Sequence, residues 1–74
     1  MLTNPEIAKH VLQVFLNINH QMDQSIVTVG KEASPDECSD YKRRIGFVMY
    51  EVFDKIIEPI CTSHPSLRPP ESAG

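Results

Sequence analysis

The sequence predicts an all-α fold: an antiparallel two-helix hairpin that dimerises into a four-helix bundle. Three observations carry that expectation. Apolar residues recur three and four apart over two long stretches, about 4–30 and about 34–58. Each stretch opens on a helix-start signature, and only a short Gly-containing connection separates them. The apolar arcs are also wider than one neighbouring helix can cover.

The first helix opens at Thr3-Asn4-Pro5-Glu6. Either Asn4 caps it with Pro5 in the first turn, where a missing N–H costs nothing, or Thr3 caps it and Glu6 closes a capping box. Ala8, Val11, Phe15, Ile18, Met22, Ser25 and Val29 then form a heptad seam with one polar break. Ile7, Val14, Leu12, Leu16 and Ile26 widen it, so the apolar arc spans roughly half the circumference, more than the stripe of about 100° that one contact needs. Asn19 lies within this arc, as a register-fixing residue or one that reaches water. Gly30 is the expected stop, in the left-handed conformation that closes many helices. Lys31, Glu32 and Ala33 make the hinge, and so short a hinge sets the helices antiparallel.

The second helix begins at Ser34-Pro35-Asp36-Glu37, which supplies a capping Ser, a first-turn Pro and a Glu for the box. Cys38, Tyr41, Ile45, Val48, Met49, Val52, Ile56 and Ile60 share one face. Asp40 with Arg44 and Glu51 with Lys55 are four apart, acid first. Pro59 lacks the N–H that would return to Lys55 and disfavours helix at Glu58, so the helix should end or kink there. The hairpin domain is then 1–62, and 63–74, with Pro65, Pro69 and Pro70, reads as an extended or disordered tail that Leu67 could pin at its start. The expected core of the dimeric four-helix bundle is Ala8, Val11, Phe15, Ile18, Met22, Ile45, Val48, Val52 and Ile56.

Composition bounds function. At 74 residues and net charge −3, with 41% hydrophobic and 23% charged residues, the chain is one small folded domain and too apolar for a disordered one. It has no apolar run long enough for a membrane span and no basic leader, which points to a cytoplasmic protein without membrane contact. Two cysteines make no disulfide framework.

No enzyme chemistry is expected. Cys61 and His64 have ligand-pair spacing, but structural zinc wants a second pair. There is no Glu-x-x-His, and Gly30, Gly46 and Gly74 are isolated, so no phosphate loop exists. Cys38 falls on the core face. No cofactor or metal is therefore anticipated.

A second series on helix 2 remains: Arg43, Phe47, Tyr50, Asp54, Ile57 and Cys61, placed opposite the core face, with the first five as the candidate partner-binding residues. An aromatic pair flanked by Arg and Asp has the composition of an interface centre. Burying each Phe or Ile is worth roughly 1.5–3 kcal/mol, so this surface favours association. The leading expectation is a small non-enzymatic interaction module, a regulator, adaptor or inhibitor, that pairs with itself and with another protein. The competing expectation is a dimeric nucleic-acid-binding hairpin using Lys42, Arg43 and Arg44. The net charge and the neighbouring Asp40, Glu51 and Asp54 weigh against it.

Overall fold

The computed structural model describes residues 2–68. Over that range the chain is helical, without a strand, and folds as a two-helix hairpin. Helix α1 runs Pro5–Glu32, and a rod antiparallel to it is built from α2 (Pro35–Val52), a π turn (Phe53–Ile57) and α3 (Glu58–Ser63). A single 3₁₀ turn, Pro65–Leu67, follows.

The helix starts follow local chemistry. Asn4 is the cap of α1: its Oδ1 accepts from the backbone N–H of Glu6 at 2.9 Å and of Ile7 at 3.4 Å. Ser34 caps α2 in a full capping box. Its hydroxyl oxygen accepts from the Glu37 N–H at 3.2 Å, while the Glu37 carboxylate accepts from the Ser34 N–H at 3.2 Å.

Gly30 does not end α1. The helix passes through it to Glu32, and no described glycine has a positive φ. Ala33 ends the helix instead, in an extended conformation, with its N–H returned to the Val29 carbonyl at 2.9 Å. The connection thus shrinks to Ala33 and Ser34, because the Ser34 capping box starts the next helix at once.

Pro59 does not end the second helix either. Its ring crowds the carbonyl four residues back and it has no N–H to offer. The π turn widens the helix at that point and lets Glu58 donate to Phe53, five residues back. Proline then falls in the first turn of α3, where the lost donor is harmless. The helix therefore continues past 58 to Ser63.

The core sits at the end of the hairpin away from the turn. Ala8 and Leu12 of α1 meet Ile57, Ile60 and Cys61, and Leu2, Val11, Phe15, Val52, Ile56 and Leu67 pack around them. Ile45 is the one buried residue nearer the turn. Of the residues expected in the bundle core, Ile18 (37% exposed) and Val48 (53% exposed) are left uncovered by the single hairpin. Two helices form a single layer, so each shields only the strip that faces its partner.

The start of the supposed tail is structured. Leu67 packs against the core, and the Arg68 guanidinium makes two hydrogen bonds to the Glu58 carboxylate, at 3.1 and 3.2 Å. His64 Nε2 lies 2.7 Å from the Leu2 carbonyl oxygen, joining the two chain ends. A carbonyl only accepts, so this nitrogen carries the hydrogen. Residues 69–74 of the expected tail lie outside the described residues.

Candidate functional site

The outward face of the second rod holds the aromatic strip. Phe47 is 65% exposed and Tyr50 is 63% exposed, and no part of the hairpin covers them. Arg43 and Asp54 are exposed beside them. Phe53, three residues beyond Tyr50, is also exposed and extends the strip. It is absent from the expected set, although its spacing from Tyr50 was a usable signal.

Ile57 does not belong to this strip. It is 5% exposed and lies in the core with Ala8 and Leu12. On a straight α-helix, seven residues bring Ile57 back to within about 20° of Tyr50. The π turn holds more residues per turn, so everything after it lags by roughly one residue's rotation. That lag carries Ile57 off the outer surface and into contact with α1.

Asp40 organises the basic cluster. Arg43 donates to one carboxylate oxygen at 2.9 Å and Arg44 to the other at 2.8 Å. The hydrogen bond from Arg44, then that from Arg43, holds the Asp40 carboxyl below its usual pKa. Lys42 points elsewhere, into a shallow cleft at the turn beside Gly30, Ala33, Cys38 and Ser39. The three basic side chains therefore do not converge on one patch.

A second apolar surface spans both helices. Its register is set by Ser25 of α1 and Tyr41 of α2, whose hydroxyl oxygens are 2.6 Å apart. In antiparallel helices, Ile18, seven residues before Ser25, is level with Val48, seven residues after Tyr41. Seven residues are within about 20° of two full turns, so both stay on the Ser25/Tyr41 side. Val14 and Ile7, eleven and eighteen residues before Ser25, continue the same line and are exposed. The opposite broad side is different. There Leu67 and Arg68 lie over Leu12 and Leu16 and line a groove with Lys9 and Gln13.

The remaining polar candidates are dispersed. Cys61 is buried, Cys38 is half-buried, and both are free thiols. His64 is engaged with the Leu2 carbonyl, while His10 and His20 are exposed on α1. Among the described residues no three His, Cys, Asp or Glu side chains group closely enough to hold a metal ion. Asn19 is half-buried, and its Oδ1 is enclosed without a hydrogen-bond partner. No helix among the described residues is long and apolar enough to cross a membrane. The chain matches no protein-family model, no curated protein and no solved structure.

Proposed function

We propose that this chain is a small, non-enzymatic protein–protein interaction module that works as a homodimeric helical bundle and presents its aromatic strip to another protein. One observation carries the reading. Among the described residues, nine large hydrophobic side chains are exposed, against six hydrophobic residues in the core. Scattered exposed apolar residues are ordinary, but seven of these nine gather in two places, the Phe47/Tyr50/Phe53 strip and the Ile7/Val14/Ile18/Val48 face. Apolar surface so grouped on a chain this small marks binding sites. Two separate surfaces suit two roles, self-association and partner binding.

The partner-binding residues of this reading are Arg43, Phe47, Tyr50 and Asp54. The aromatic rings supply area that loses contact with water on binding, and the flanking charges orient the partner. The test is capture of proteins from the native cell by the wild-type chain and by the Phe47→Ala, Tyr50→Ala double variant. Both side chains are exposed, so helicity should be unchanged. Loss of one defined protein from the variant's captured set supports the role of the strip. Identical captured sets contradict it.

A further inference from the structure

We propose that the Ile7/Val14/Ile18/Val48 face is covered by a second copy of this chain, two-fold related, which places these residues in the interior of a four-helix bundle. The proposal rests on the homodimer reading above and specifies which face pairs.

Size supports it first. The chain measures 45 × 23 × 16 Å along its principal axes, a slab one helix layer thick, so its broad side projects roughly 1,000 Å². A stable interface buries about 800 Å² per partner, and the broad side is the largest face the slab offers for it.

Accessibility chooses between the two broad sides. The side with Leu12 and Leu16 is overlaid at one end by Leu67 and Arg68. Among the described residues none gives the Ser25/Tyr41 side such a cover, and Ile18 and Val48 lie open on it.

Chemistry agrees with that choice. Between Lys9 and Asp23, α1 has no Asp, Glu, Lys or Arg, so the stretch through Val14 and Ile18 brings no formal charge into the interface. On the second rod, Arg44 and Glu51, four residues before and three after Val48, border the face, and each is held in an ion pair: Arg44 to Asp40 at 2.8 Å and Glu51 to Lys55 at 3.0 Å. An apolar centre with a polar rim is the anatomy of a protein interface.

The one polar pair on the face is already satisfied. Ser25 Oγ lies 2.6 Å from the Met22 carbonyl oxygen, to which it must donate, so the Tyr41 hydroxyl donates to Ser25. Covering this pair leaves no orphaned donor hydrogen. Spacing fits as well, because Ile7, Val11, Val14 and Ile18 alternate four, three and four, the pattern of a seam between helices. Closed two-fold pairing is the commonest way for a chain to cover such a surface with itself.

Sedimentation equilibrium of the full chain tests this, comparing wild type with Val48→Glu and Leu16→Glu and checking helicity by circular dichroism. The expected result is a two-chain mass for wild type and Leu16→Glu, and a single-chain mass for helical Val48→Glu. If Val48→Glu loses helicity, Val48→Ala decides instead: two lost side chains per dimer should weaken the dimer by about tenfold or more. A two-chain mass for helical Val48→Glu, or an unchanged dissociation constant for Val48→Ala, overturns the assignment of the face. A single-chain mass for Leu16→Glu with its helicity intact places the interface on the other broad side and overturns it too. A single-chain mass for wild type removes the homodimer reading itself.

Discussion

The hydroxyl of Tyr41 donates to Ser25 Oγ across the hairpin at 2.6 Å, and Ser25 passes its own hydrogen to the Met22 carbonyl at the same distance. This relay is the polar tie between the helices in the half of the molecule nearest the turn. That half has little else, since Ile45 is its only buried hydrophobic residue among those described.

Tyr41→Phe should therefore loosen the turn half selectively. A net hydrogen bond is worth about 0.5–1.5 kcal/mol, and Ser25 keeps its bond to Met22 in the variant. Amide hydrogen exchange should quicken around residues 22–45 and stay unchanged around 8–12 and 57–61. Uniform acceleration would mean that the tie has no local role.

Ile57→Ala should be severe. Removing most of a buried Ile side chain costs about 2–5 kcal/mol, and a small core supplies only about 3–5 kcal/mol in all. Thermal unfolding followed at 222 nm should show a nearly unfolded chain at room temperature, or a melting point depressed by tens of degrees. A loss below about 0.5 kcal/mol, the ordinary cost of a surface substitution, would put Ile57 back on the outer strip and remove the π turn from the account.

Gly46→Ala should stabilise the protein. Gly46 lies inside α2, and a Cβ built on it meets nothing within 4 Å. Replacing a mid-helix Gly by Ala recovers about 0.5–1 kcal/mol, which for a domain of this size raises the melting temperature by roughly 2–8 °C. A lowered melting temperature with unchanged helicity would show that another helix approaches closely at this position.

Acid should release the segment after α3. The hydrogen bonds from Arg68 hold the Glu58 carboxyl below the usual glutamate range. A group whose folded pKa is depressed contributes stability above its unfolded pKa and loses it as pH falls through the folded one. Exchange at the Leu67 and Arg68 amides should thus be slower in wild type than in Glu58→Gln near neutral pH. The two should converge as pH falls through the lowered Glu58 pKa and the carboxyl is protonated. A difference that persists at low pH would assign the contact to packing instead of charge.

The nucleic-acid alternative yields to the same kind of test. With Arg43 and Arg44 both turned to Asp40, titration with single-stranded RNA should show no steep fall in affinity between low and moderate salt. Phosphate contacts would produce that fall.

Local signals were the legible part of the sequence. Asn4, Ser34 and Glu37 act at short range, through side chains that reach backbone N–H groups two or three residues away, so the two helices and their hairpin could be read directly. The errors share a cause. Assigning faces by counting residues assumes a constant rotation per residue, and the π turn breaks that assumption between Phe53 and Ile57. Ile57 consequently moves from the surface to the core. Pro59 was the visible sign of irregularity, but its presence alone does not distinguish an ending from a widened turn. Ile18 and Val48 fit the heptad spacing of a bundle core, yet the single hairpin leaves them exposed. Spacing identifies a seam without saying whether the second helix of the same chain or another chain fills it. Phe47 and Tyr50 were read correctly as outward-facing, since they precede the π turn.

Sedimentation equilibrium of the wild-type chain, from low to tens of micromolar, bears most directly on the claim that one layer of two helices leaves too much apolar surface in water. The account predicts a mass twice that of the 8.4 kDa chain, dissociating on dilution. A fully helical species of single-chain mass across that whole range would contradict it.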